Sequence, residues 1–220
     1  SPGAFAAAYE NAFSEGAEQV LCICVSSTVS GTYQSALSAC ELLPKRTIRV
    51  VDSHTLSMVQ GFMALEAAQA AQAGTPMDDI VPRIQRMGNR SALFGALSTL
   101  KYIAMSGRIG HLAAGMATLL AIKPILSVQD GKLEMAERVR SQRKAWTRTV
   151  ELLTQHVGGA DIEKVALLHV AAPQRAIEFY NLLRKALPAC PAEPFVAELS
   201  PGLSVHTGAG LVGAAIIRAK

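Results

Sequence analysis

Apolar residues recur at helical spacing through Phe5, Ala8, Tyr9, Ala12 and Phe13, and Gly16 closes the run. The spacing predicts a helix with one apolar face, with Ser1 as its N-cap and Pro2 as its first helical residue. Val20 to Val25 is a continuous apolar run bounded by polar residues, which suits a strand buried on both faces. A polar loop, Ser26 to Thr32, then leads to Tyr33, Ala36, Leu37 and Cys40 at helical spacing. The same unit follows again as Ile48 to Val51, a polar turn at Asp52-Ser53, and a helix from about Met58 to Ala73 closed by Gly74. Repeated strand-loop-helix units predict a parallel sheet with right-handed crossovers. Thr75-Pro76 before Asp78 and Asp79 starts a further helix, which Pro82 is expected to kink or to displace at its start.

From about Asn89 the pattern changes, and a second domain is expected over residues 89–220, after a parallel α/β domain over 1–88. Ala92 to Leu97 reads as a strand, followed by a helix near Leu100 and a turn at Gly107-Arg108-Ile109-Gly110. Lys123 to Val128 and Leu133 to Arg138 flank Gln129-Asp130-Gly131-Lys132, and Asp-Gly between two strand-like runs predicts a hairpin. Ser141 is placed to cap a helix that turns Trp146, Val150 and Leu153 inward. Val165 to Val170 is a strand and Pro173 to Ala186 a helix. The fold class is therefore α/β: a parallel sheet covered by helices, plus a second α/β domain with a mixed sheet.

Composition narrows the function. Apolar residues make up 50% of the 220 positions but aromatics only 5%, so the core is built from aliphatic side chains, as in helix-covered sheets. A net charge of +4 is mild, and no aromatics interleave with Lys and Arg as single-strand nucleic-acid binders require. Nucleic acid is not an expected partner. Cys22, Cys24, Cys40 and Cys190 form no C-x-x-C and read as small core residues in a reducing compartment. The longest uncharged apolar stretch, Leu112 to Ile122, is too short to cross a bilayer, and no signal-peptide pattern opens the chain. A cytoplasmic location without a transmembrane segment is the expectation.

Two segments carry candidate chemistry. The loop Ser27 to Thr32 joins a strand to a helix, where backbone N–H groups, the positive end of the helix dipole and several hydroxyls suit a carboxylate or phosphate. The plainer alternative makes Ser30 an N-cap and Gly31 a tight turn. The second segment, Pro201 to Gly213, holds His206-Thr207-Gly208-Ala209-Gly210, where glycines let backbone approach a ligand and a histidine can donate a hydrogen bond. Its plainer alternative is a histidine on a turn with packing glycines. Arg138, Arg140, Arg143, Lys144 and Arg148 cluster around a strand end and the following helix, as a solvated face or as a dock for an acidic partner. The chain contains no Walker loop, no G-x-S-x-G elbow and no H-E-x-x-H.

Ser26-Ser27-Thr28-Val29-Ser30-Gly31-Thr32-Tyr33-Gln34-Ser35-Ala36, Val51-Asp52-Ser53 and Gly107-Arg108-Ile109-Gly110 resemble the DegV family in order and spacing. The likeness continues through Ile122-Lys123-Pro124-Ile125-Leu126, Asp130-Gly131-Lys132, Val139-Arg140 and His206-Thr207-Gly208-Ala209-Gly210. The resemblance implies a two-domain protein that holds a long-chain fatty acid in a cleft between its domains. It further implies presentation of the carboxylate to a separate fatty acid kinase, with no cofactor, no metal and no catalysis by this chain. Ser30 and His206 match the family's carboxylate-binding serine and histidine, with Ser27, Thr32 and Thr207 beside them. Arg108, Gly208 and Gly210 match positions near the ligand head or partner surface, while Arg138, Arg140 and Arg143 are the expected docking residues. Thr28 and Ala209 depart from the family pattern, the latter standing where proline is usual. The family also carries a leading strand, an Asp-Ser-Thr loop and a carboxylate-binding threonine ahead of the position that matches Ser1-Pro2, so a missing N-terminal segment is expected. The rival expectation is an enzyme of phosphoryl or acyl transfer related to dihydroxyacetone-kinase domains.

Overall fold

The computed structural model describes residues 1–108 and 122–219. The expected turn residues Ile109 and Gly110, His111 and most of the apolar stretch from Leu112 lie outside the described residues. The chain forms two compact units: Ser1–Leu56 with Gln60–Asn89 and Asp130–Lys132, and Ser57–Val59 with Arg90–Gln129 and Leu133–Lys220.

The first unit runs α1 (Pro2–Ser14), β1 (Gln19–Cys24), α2 (Thr32–Glu41), β2 (Thr47–Asp52), most of α3 (Ser57–Gln72) and α4 (Met77–Gly88). β1 and β2 pair in parallel, from Gln19 opposite Thr47 to Cys24 opposite Asp52. Tyr9 and Phe13 of α1 pack on Ala39 of α2, whose small side chain lets the helices close up, and the Arg46 guanidinium lies 4.6 Å over the Phe13 ring. In α4, Ile80, Val81, Ile84 and Met87 are buried while Asp78 and Asp79 sit in the first turn, where the helix dipole favours them.

Two expectations change here. β1 is not buried on both faces: four of its six residues are half-buried and only Cys24 is fully covered. Its sheet has two strands among the described residues, so Leu21 and Ile23 line an open groove of about 940 Å³ against Ala64, Ala67, Ala68 and Ala71 of α3. Pro82 does not displace the start of α4 but lies inside the helix, where it removes one backbone donor.

The second unit contains β3 (Ser91–Ala96), α5 (Lys101–Met105), β4 (Lys123–Gln129), β5 (Lys132–Val139), α6 (Gln142–Val157), β6 (Ile162–His169), α7 (Pro173–Ala186), β7 (Phe195–Glu198), α8 (Pro201–Thr207) and β8 (Val212–Arg218). Its six strands form one mixed sheet in the order β5-β4-β3-β8-β6-β7, antiparallel at β3/β4, β3/β8 and β6/β8 and parallel at β6/β7. β8 lies inside the sheet, which is why every residue from Val212 to Ile217 is buried. α6 and α7 cover one face through Val150, Leu153, Phe179 and Leu183, packed on Leu167, Val212, Ala214 and Ile216. Ser141 caps α6 by accepting from the Lys144 N–H at 3.3 Å, and Gly158 ends the helix in the left-handed region. The predicted hairpin forms between β4 and β5. Asp130 (φ 48) and Gly131 (φ 79) both take positive φ, as a two-residue hairpin turn of this hand requires.

Candidate functional site

In the first unit the loop after β1 is organised by hydroxyls. The buried Ser26 hydroxyl donates to the Gly131 carbonyl at 2.7 Å, and the Thr28 hydroxyl donates to the same oxygen. A Cβ at position 131 would stand 2.8 Å from Ser26 Oγ, so glycine answers both the turn and this close approach. Neither Ser26 nor Thr28 was a candidate from the sequence, because their partner lies 105 and 103 positions away and no local pattern announces it.

Ser27 is drawn toward Asp52: its backbone N–H donates to Oδ2 at 3.2 Å, while the His54 N–H donates to Oδ1 at 2.9 Å. Burial alone would raise the Asp52 carboxyl, but hydrogen bonds from the Ser27 side chain and the His54 and Ser27 backbones, with the nearby His54 charge, hold it below the usual range. A fixed carboxylate thus holds the start of the loop. Further along the loop the Ser30 and Thr32 hydroxyls are 2.8 Å apart, and the Thr32 N–H donates to Ser30 Oγ at 3.3 Å. Ser30 is not the N-cap: Gly31 occupies that position, and α2 opens without a side-chain cap. Two half-buried hydroxyls therefore sit at the positive end of a ten-residue helix, where an anion is stabilised.

In the second unit His206 and Thr207 are on the last turn of α8, not on a loop. Ser200-Pro201 starts that helix as N-cap and first residue, and Gly208 stops it. Gly208 takes φ 74 and ψ 168, a region essentially reserved for glycine, and a Cβ there would stand 2.3 Å from the Tyr102 ring. The Thr207 hydroxyl turns back to the Ser204 carbonyl at 3.4 Å. Burial, and then the charge of Arg108, push the His206 imidazole below its ordinary value, which favours its neutral form. Arg108 is exposed, and its Nη1 donates to the Ser106 carbonyl at 2.8 Å. Tyr102, Met105 and Val205 are exposed apolar side chains on α5 and α8, the helices that bracket this pair. Gly210 is anchored by its N–H to the Val170 carbonyl at 2.8 Å. An imidazole, a guanidinium and an apolar surface are thus assembled from α5, the turn that follows it, and α8.

The basic cluster is divided. Arg148 is occupied by Glu137 and Glu151, and its hydrogen bond holds the Glu137 carboxyl below the usual range. Arg138, Arg140, Arg143 and Lys144 are exposed. The four cysteines are free thiols, with Cys24 and Cys190 buried and Cys22 and Cys40 half-buried. Among the described residues, no group of three or more His, Cys, Asp or Glu is placed to hold a metal ion, and no helix is long and apolar enough to cross a membrane.

Residues 1–219 match the family profile described as the uncharacterised proteins of the DegV family. A DegV domain-containing protein of Mycobacterium tuberculosis is 38% identical over 219 residues, covering 98% of this chain and 76% of that protein. The fatty acid binding DegV family protein of Streptococcus agalactiae superposes with a TM-score of 0.87 at 26% identity, over 100% of this chain and 77% of the other. A DegV family protein of Thermus thermophilus, described for its fatty acid binding, superposes with a TM-score of 0.85 at 29% identity, over 100% and 77%.

Proposed function

Since this chain belongs to the DegV family, we propose that it binds a long-chain fatty acid and presents the carboxylate to a separate fatty acid kinase, without catalysing a reaction itself. The carboxylate accepts hydrogen bonds from Ser30, supported by Thr32, and from His206, with Arg108 close to the histidine. The observation that carries this reading is the pairing, at α5 and α8, of a partly desolvated His206 and Arg108 with the exposed apolar Tyr102, Met105 and Val205. A charged head and an apolar tail are what such a surface accommodates together. The fatty acids bound by the Streptococcus agalactiae and Thermus thermophilus relatives support the ligand class. Organic extraction of the purified protein followed by mass spectrometry tests it. A stoichiometric fatty acid is expected, and extracts free of acyl chains, together with no uptake of added fatty acid, would overturn the proposal.

Binding is expected to take up a proton. The free His206 is held below its ordinary value of 6.5, whereas a carboxylate beside it favours the charged imidazole and raises it again. Between those two values the complex binds more protons than the free protein, so affinity rises as pH falls through the bound value towards the free one while the fatty acid stays ionised. Calorimetry in buffers of different ionisation enthalpy reads the proton directly. His206→Gln should abolish the uptake, and uptake that persists in this variant would assign the proton to another group.

The exposed Arg138, Arg140 and Arg143 are the proposed docking face for an acidic surface of the kinase. Arg140→Glu is expected to slow acyl-phosphate formation by a cognate kinase, most visibly at low salt, and to leave fatty acid affinity unchanged. An equal loss of ligand affinity would place Arg140 in ligand binding or in the fold instead.

A further inference from the structure

A second cavity, of about 660 Å³, lies in the second unit where α6 and α7 begin, beside the end of β3 and the start of β4. Its walls carry three polar groups whose buried atoms have no hydrogen-bond partner among the described residues: Ser98 Oγ, Gln142 Nε2 and Trp146 Nε1. All three can donate. A buried donor left without a partner is costly, so three on residues that line one space mark a place where acceptor oxygens belong. Lys123, Arg143 and Arg175 line the same cavity, against a single carboxylate, Glu178.

The groups are brought together by backbone. Lys123 Nζ donates to the Ser98 carbonyl at 2.6 Å, which ties the two strands' ends at the cavity. A Cβ on Gly210 would stand 2.3 Å from Ser98 Oγ and 3.4 Å from Arg175 Nη1, so the absence of a side chain at this position leaves room for both groups. Gln142 and Arg143 open α6, and Arg175 lies in the first turn of α7, so the positive ends of helices of 16 and 14 residues add to the same field.

We propose that this cavity binds the phosphate group of a small soluble molecule, separately from the fatty acid carboxylate. Three cations against one carboxylate leave a local charge that a phosphate dianion balances. Its several terminal oxygens can accept from the three neutral donors and the guanidinium forks together, which the two oxygens of a carboxylate cannot do. The cavity volume is within the range of small-molecule sites.

Trp146 is the chain's single tryptophan, so its emission reports directly on the cavity. Titration with inorganic phosphate at constant ionic strength is expected to give a saturable change in emission, with acetate at the same ionic strength giving a much weaker response. Arg175→Gln and, independently, Arg143→Gln should each raise the phosphate concentration at half-saturation by about tenfold or more, since each removes a charged donor. Both arginines are exposed, so thermal unfolding should be unchanged. The assignment is overturned by a flat response in both fluorescence and calorimetry, or by half-saturation that neither substitution moves. It is overturned equally by an acetate response matching that of phosphate, which would make the cavity a carboxylate site.

Discussion

Phe179→Ala should lower the unfolding free energy by about 3–5 kcal/mol, the usual loss when a buried aromatic side chain is truncated and its cavity is only partly refilled. Phe179 is 0% exposed, and it meets Trp146 edge-on with ring centroids 6.4 Å apart. It therefore joins both covering helices, α6 and α7, to the sheet beneath, and neighbouring aliphatic side chains cannot reproduce that contact. Urea denaturation followed by circular dichroism measures the loss. Phe195→Ala is the control: Phe195 is 55% exposed on the edge strand β7, so removing its ring should change stability by no more than about 0.5 kcal/mol. Similar midpoints for the two variants would mean that α7 does not cover the sheet as described.

Ser30→Ala and His206→Ala should each weaken fatty acid binding about ten- to hundredfold, because each removes a donor to a charged acceptor, worth about 1.5–3 kcal/mol. Both side chains sit at the ends of short elements and neither is a core residue, so the variants should remain folded. The double variant is more informative than either single one. If both donors serve one carboxylate, loss of the first leaves the ligand free to adjust, and the second costs less than it did alone, with a coupling of about 0.5–3 kcal/mol. Titration of a fluorescent acyl ligand against all four proteins gives the cycle. Strict additivity would assign the two residues to different groups, and an unchanged affinity in Ser30→Ala would remove the hydroxyl from the site.

Where local rules suffice, the elements follow from the residues. Proline at the first helical position and the apolar spacing behind it set α7 from Pro173 to Ala186, and Asp130-Gly131 between two strand-like runs makes the hairpin turn with both residues at positive φ. Ser141 caps α6 as its sequence position suggests. Each of these outcomes depends on interactions within a few positions along the chain. The short helix α8 also obeys local rules, Ser200-Pro201 at one end and Gly208 at the other, but the glycines around His206 read as a turn, because seven residues are too few to show a helical period.

The fold class, the parallel pair and the hairpin were thus determined by the sequence itself, since hydrophobic period, capping and turn chemistry are local. Tertiary structure alone decided that β8 lies between β3 and β6, that Ser26 and Thr28 grip the Gly131 carbonyl, and that Asp52 takes the Ser27 N–H. It also decided that β1 stays half-exposed, and that Ser98, Gln142, Trp146 and Arg175 surround one cavity. These depend on groups many residues apart, whose distance is set by how helices and strands pack and not by any pattern a window of sequence contains.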